Sequence, residues 1–90
     1  MVETEVKVEE LLLEELIAEK NLIVYNDDVN TFDHVIDSLI KICGHEMLQA
    51  EQCTWIIHHN GKCQVKFGSF EKLEPMCTGL LDRGISATIE

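Results

Sequence analysis

The chain has 90 residues and a mass of 10.3 kDa, enough for one domain, or one domain with a short arm, but not for two independent cores. Seven Lys and Arg against seventeen Asp and Glu give a net charge of −10, which disfavours nucleic acid and anionic membranes and suits a cationic ligand or a basic partner surface. A hydrophobic content of 46% is too high for wholesale disorder, and no apolar run approaches the roughly 18 residues that a membrane span needs.

Residues 1–20 hold seven Glu and two Lys, and so carry −5 of the net −10. That asymmetry marks them as an acidic N-terminal arm, followed by a core domain over residues 21–90. Good helix formers from Glu9 to Lys20, with Leu12–Leu16 and Leu13–Ile17 at i,i+4 spacing, predict a short helix in the arm. A helix of this length is marginal alone and needs a docking surface. No positively charged, then apolar leader opens the chain, which instead begins with Glu3 and Glu5. Cys43, Cys53, Cys63 and Cys77 form no C-x-x-C pair, and are expected to be reduced, mostly buried thiols of a cytoplasmic protein.

Leu22-Ile23-Val24-Tyr25 is a β-rich apolar run, expected as a buried strand. Asn26-Asp27-Asp28-Val29-Asn30 breaks it, because Asn and Asp side chains bond nearby backbone and favour turns. Asn30 or Thr31 can cap a helix in which Phe32, Val35, Ile36, Leu39, Ile40 and Cys43 recur at helical spacing, with Gly44 as its stop. A second core helix is expected from about Glu46 to His58 or His59, with Met47, Ala50, Cys53, Thr54 and Ile57 on one face and Asn60-Gly61 ending it. Lys62 to Phe67 alternates, placing Cys63, Val65 and Phe67 on the buried side of a strand. Ser69 then caps a third core helix with Leu73, Met76, Cys77, Leu80 and Leu81 inward. Pro75 is tolerable there only near the start, and Gly84 is the stop. Ile85, Ala87 and Ile89 alternate in a last strand. The order is β-α-α-β-α-β: an α+β fold with three strands packed against three helices in two layers.

Chemistry concentrates at two places. Asn26-Asp27-Asp28 sits at the strand-to-helix corner, and its oxygens are acceptors suited to a donor-rich cation such as an ammonium group; a well-capped turn would use the same residues. His58-His59 closes the second core helix, where an imidazole complements the helix dipole or serves a ligand. No zinc-ligand spacing joins these histidines, His34 or His45 to the cysteines. There is no phosphate loop and no nucleophile motif, and carboxylates adjacent in a turn usually diverge rather than oppose each other across a substrate. Trp55 and Phe70 are candidates for surface anchors, although half-buried packing is the commoner role of such residues.

The segment Leu22-Ile23-Val24-Tyr25-Asn26-Asp27-Asp28-Val29-Asn30-Thr31-Phe32-Asp33-His34-Val35-Ile36 resembles the hallmark of the ClpS family, adaptors of Clp AAA+ proteases. A second signature matches as well: Ala50, then Ile57-His58-His59-Asn60-Gly61-Lys62. The resemblance covers residues 21–90 and implies the same β-α-α-β-α-β fold. It implies a non-enzymatic, cofactor-free, monomeric adaptor in the N-end rule pathway. Such an adaptor binds proteins that begin with Leu, Phe, Tyr or Trp and delivers them to a ClpA- or ClpC-type unfoldase. By the same resemblance Asn26, Asp27 and His58 hold the free α-amino group. Asp28, Asn30, Phe32, Val35, Thr54 and Ile57 form the side-chain pocket, and Glu71 belongs to the unfoldase-docking surface. Phe32 and Thr54 stand where many members have Met, so the pocket is expected to be reshaped. Three ammonium donors would need three acceptors, with the imidazole neutral and its lone pair facing the ligand.

Two other readings share these residues. The layout also resembles the C-terminal domain of the ribosomal stalk protein, a docking module that has no need for Asn26, Asp27 and His58 to converge. A metal-dependent enzyme using Asp27, His58 and His59 would need a bound metal.

Overall fold

The computed structural model describes residues 8–14 and 18–90. Residues 8–14 form a short helix, α1, exposed along its length. Leu16 and Ile17, the expected i,i+4 partners of Leu12 and Leu13, lie outside the described residues. The expected extension of this helix to Lys20 is not what forms: Lys20 is the first residue of strand β1, Lys20–Tyr25, where it pairs with Gly68. Backbone pairing at the start of the central strand outweighs the modest helix preference of a single Lys.

Helix α2 spans Phe32–Cys43, α3 Met47–Asn60, strand β2 Lys62–Gly68, helix α4 Phe70–Asp82 and strand β3 Ala87–Ile89. The three strands form one antiparallel sheet in the order β2-β1-β3. The α+β architecture read from the sequence is the architecture observed. Thr31 caps α2, its Oγ1 accepting from the His34 N–H at 3.1 Å. Gly44 ends the helix in the left-handed region at φ 69°, a conformation a Cβ disfavours. Ser69 caps α4 by accepting from the Lys72 N–H. Pro75 sits inside α4. The carbonyl it leaves without a partner is that of exposed Glu71, which water can reach.

Leu22 and Val24 of the central strand are fully buried, and with Leu39, Leu73, Leu80 and Ile85 they make the middle of the core between sheet and helices. α4 lies across the sheet, α2 packs on α3 and α4, and α3 packs on β2. Gly79 permits the close approach of α4 to α2: a Cβ there would come within 3.0 Å of the Ile42 side chain.

Three expected inward positions turn out to be exposed. Phe67 is 57% exposed because the β1–β2 register shifts between Leu22 and Ile23. Leu22 faces Lys66 and Ile23 faces Gln64, so Val65 is an extra residue in β2, and the simple alternation fails beyond it. The Val65 carbonyl accepts instead from Nε2 of buried His45 at 2.7 Å. Met47 and Leu81 lie at helix ends and point away from the core.

Candidate functional site

β1 delivers the Asn26-Asp27-Asp28 corner to the C-terminal end of α3 through one backbone contact. The Asn26 N–H donates to the Gly61 carbonyl at 2.8 Å, continuing the β1–β2 ladder by one step beyond Tyr25 and Lys62. Gly61 is also the residue that stops α3: its φ is 90° and its N–H caps the Ile57 carbonyl. One glycine turn thus ends the histidine-bearing helix and seats the carboxylate-bearing corner beside it.

Between this corner, the start of α2 and the inner face of α3 lies a cleft of about 290 Å³. Asn26, Asp27, Asp28, Asn30, Phe32, Val35, Thr54, Ile57 and His58 all line it. These are the nine residues that the sequence singled out for an amino-group site and a side-chain pocket, drawn from positions as much as 32 apart. Thr31 lines it too. The sequence marks it only as a cap, but a residue can hold a helix start with its hydroxyl and still show its remaining surface to a neighbouring cavity. Glu71 is not part of this cleft; it is exposed in the first turn of α4.

The two ends of the cleft differ in kind. At the polar end, Asp27 Oδ1 accepts from the Val29 N–H at 2.9 Å and the Asn30 N–H at 2.8 Å, while Oδ2 accepts from Asn30 Nδ2 at 2.6 Å. The Asn30 backbone N–H is the main cause holding the Asp27 carboxyl below the usual aspartate value, and the Asn30 side chain, the Val29 N–H and the nearby charge of His34 act in the same direction. Asp27 is therefore a carboxylate throughout the neutral and mildly acidic range. Of the four lone-pair sites of a carboxylate, three are taken among the described residues and one on Oδ2 is open.

At the apolar end, Val35 and Ile57 are buried and Phe32 is 39% exposed. The Phe32 ring meets the His58 ring edge-on, centroids 5.7 Å apart at 75°, a favourable aromatic arrangement. The contact ties the aromatic residue at the mouth to the imidazole at the polar end. Thr54 is buried and donates its hydroxyl to the Ala50 carbonyl at 2.7 Å. Its proton therefore serves α3 and is not offered to a ligand. His34, which the sequence left unassigned, donates Nε2–H to the Arg83 carbonyl at 2.9 Å rather than facing a metal. Among the described residues no group of three or more His, Cys, Asp or Glu is placed to hold a metal ion.

Residues 18–88 match the family model of the ATP-dependent Clp protease adaptor protein ClpS. The chain belongs to the ClpS family. It is accordingly an adaptor of Clp protease, with the protease and its substrates as partners. Among solved structures, the fold of this ClpS-family chain is similar to that of Agrobacterium tumefaciens ClpS2 bound to L-phenylalaninamide. The TM-score is 0.67 at 14% identity, over 80% of this chain and 94% of that one. No curated protein matches it. At that identity the structural likeness speaks for the fold alone. Among the described residues, no helix is long and apolar enough to cross a membrane.

Proposed function

We propose that this ClpS-family adaptor recognises proteins by a free N-terminal amino group followed by a bulky hydrophobic first side chain, Leu, Phe, Tyr or Trp, and hands them to a ClpA- or ClpC-type AAA+ unfoldase. The observation that carries this reading is the two-ended cleft itself. Asn26, Asp27 and His58 stand at one end of a cavity whose other end is built from Phe32, Val35, Thr54 and Ile57. Its volume of about 290 Å³ is near the lower limit of small-molecule pockets, which run from roughly 300 to 1,000 Å³, a size suited to one residue rather than a peptide stretch.

The chemistry follows from the groups. An α-ammonium carries three donors, and a carboxylate, an amide oxygen and an imidazole lone pair are three acceptors. Charge-assisted hydrogen bonds of this kind contribute roughly 1.5–3 kcal/mol each, against about 1 kcal/mol for neutral ones. Acetylation of the amine removes the charge and two of the donors, and leaves Asp27 without a cation to pair with. Asp28 at the rim adds to the negative field without entering the apolar end. The ligand in the Agrobacterium ClpS2 structure, L-phenylalaninamide, pairs a free amine with an aromatic side chain, the same combination. A docking module that reads no N-terminus would not require Asn26, Asp27 and His58 to share a cavity.

Delivery falls to surfaces outside the cleft: exposed Glu71 on α4 for the unfoldase, and the acidic arm of residues 1–20 for engagement during transfer. Four free thiols suit a reducing, cytoplasmic setting. No catalytic step is assigned to any residue.

The test is fluorescence anisotropy with labelled peptides that differ only in their first residue: Leu, Phe, Tyr, Trp, Met and acetyl-Leu, with a chelator control. Binding of Leu or aromatic starts that is lost on acetylation is the expected result. Equal binding of acetyl-Leu, or binding by none of the peptides, overturns the reading.

A further inference from the structure

Asn30 lines the cleft, but its side-chain amide does something besides forming a wall. The amide nitrogen carries two hydrogens, and both are engaged: Nδ2 donates to Asp27 Oδ2 at 2.6 Å and to the Gly84 main-chain carbonyl at 2.8 Å. The second bond spans 54 positions of sequence and joins the Asn26–Thr31 loop to the turn between α4 and β3. Only the amide oxygen of Asn30 is left for a ligand.

The far end of this link is itself held. Arg83 donates Nε–H to Ser38 Oγ at 2.8 Å and Nη2–H to Asp37 Oδ2 at 2.7 Å, and its carbonyl accepts from His34 Nε2 at 2.9 Å. Asp37, Ser38 and His34 all belong to α2, which is packed into the core. Gly84 follows at φ 78°, a left-handed conformation that turns the chain sharply and favours glycine. Three links thus run in series: α2 holds Arg83, the Arg83–Gly84 turn holds Asn30, and Asn30 holds Asp27.

The link matters because of how a carboxylate moves. The χ2 torsion of Asp is broad and weakly restrained by its own geometry. In an exposed loop, the oxygen that must meet an ammonium would wander, and fixing it on binding would cost affinity. The bonds from Val29 N–H and Asn30 N–H hold Oδ1, but both donors belong to the same loop as Asp27. Among the described residues, the Asn30 amide alone connects the ligand-facing Oδ2 to something outside that loop.

We propose that Asn30 is a positioning residue of the ammonium site, aiming Asp27 Oδ2 by tying it to the Arg83–Gly84 turn, and that Arg83 keeps that turn in place through Asp37 and Ser38. This inference rests on the reading of the cleft as an ammonium site. It makes Asn30 a determinant of amine affinity rather than of first-residue preference. It also gives Arg83, which contributes nothing to the cleft lining, a measurable role in binding.

The experiment compares the intact chain with Asn30→Ala, Asn30→Thr and Arg83→Met. Threonine keeps one donor and can serve one of the two acceptors; methionine keeps the stem and the main-chain carbonyl of Arg83 but loses its side-chain bonds. Folding of each variant is checked by thermal melting. Two quantities are read: the Kd for peptides beginning with Leu, Phe and Tyr, and the titration of the Asp27 carboxyl followed by carbon-13 NMR. The proposal expects Asn30→Ala to weaken all three peptides by a common factor of about ten, the loss of one charge-assisted bond's worth of order. It expects the Asp27 titration to move up toward the ordinary aspartate value, with Asn30→Thr intermediate and Arg83→Met a smaller change of the same kind. An Asp27 titration that does not move in Asn30→Ala overturns the proposal, as does a loss of affinity that depends on the first side chain, the sign of a simple wall residue. If the intact chain binds no peptide at all, the ammonium reading fails first and takes this inference with it.

Discussion

The two walls of the cleft are held by different physics. The loop wall, Asn26 to Thr31, is polar and partly exposed, and hydrogen bonds to Asp27 and Asn30 give it shape. The wall from α3, Thr54 and Ile57, is held by burial in the core, with Ile57 only 3% exposed. A wall built of hydrogen bonds can present charge at a defined point, whereas one built of packing presents volume. The first sets what chemical group is accepted, and the second sets what size and shape accompany it. Substitutions in the two walls should therefore fail in different ways.

The largest effect is expected at Asp27. Asp27→Asn keeps the shape and an acceptor but removes the charge, and should weaken peptides with a free amine by about 10- to 100-fold, the value of a charge-assisted pair. Anisotropy titration measures it, and an unchanged Kd would take Asp27 out of the ligand site. Asp27→Ala should behave worse, because three donors of the loop lose their acceptor. A stability loss of about 0.5–2 kcal/mol, the range for a lost side-chain cap, should appear in urea unfolding, so binding loss in that variant alone would not isolate the ligand contact.

The same carboxylate gives a pH prediction. Its folded-state value lies below the ordinary one, mainly because of the Asn30 backbone N–H. A group depressed in this way contributes its full stabilisation above the unfolded-state value and loses it as pH falls through the folded-state value. Asp27 should thus favour folding at pH 5 and above and cease to do so in strong acid. In urea titrations from pH 7 down to pH 2, Asp27→Asn should show a smaller acid-induced loss than the intact chain; identical profiles would mean that the loop bonds do not discriminate between the two protonation states.

His58 comes next in size. His58→Ala removes one acceptor and the edge contact with Phe32, and a loss of about 10- to 20-fold in Kd follows from the lower end of the range for one hydrogen bond to a charged group. Because His58 is exposed in the last turn of α3, the melting temperature should hardly move. Phe32→Leu should have a smaller and more selective effect: the ratio of Leu to Phe and Trp affinities should change by a few-fold, reflecting the shape of one aromatic wall, with acetylated peptides still excluded. A uniform loss across all first residues would assign Phe32 to the polar wall through its contact with His58. The smallest effect is expected from removing residues 1–17, short of Lys20, whose pairing with Gly68 makes it part of the sheet. Peptide Kd should be unchanged while transfer to the unfoldase is impaired; unimpaired transfer would make the acidic segment a passive tail.

Legibility in the sequence followed the range of the interactions. The stop of α2 was readable from Gly44 and its start to within one residue, Asn30 or Thr31, because caps act within four residues of themselves. The end of α3 was readable from Gly61 for the same reason. Phe67 was misplaced because the β2 bulge at Val65 depends on how two strands meet, and a one-residue shift changes which side chains face the core. Met47 and Leu81 were misplaced because helical spacing cannot say where a neighbouring element stops covering a helix. Arg83 was not singled out at all. Its partners lie 45 and 46 positions away, and an isolated Arg beside a glycine carries no local sign of them.

By itself the sequence determined the element order, the caps at Gly44, Gly61 and Ser69 and the acceptor-rich character of the Asn26-Asp27-Asp28 corner, because these depend on side-chain chemistry acting over a few residues. The family resemblance extended this to nine cleft positions. Only the tertiary structure decided that Asp27 and Asn30 are bound into one hydrogen-bonded unit, that the unit is moored to the α4–β3 turn, and that Phe32 leans on His58. Those facts depend on distances between residues far apart in the chain. Such distances arise when the apolar faces of α2, α3 and α4 are buried together against β1, since that packing sets where every polar group at the edges comes to rest.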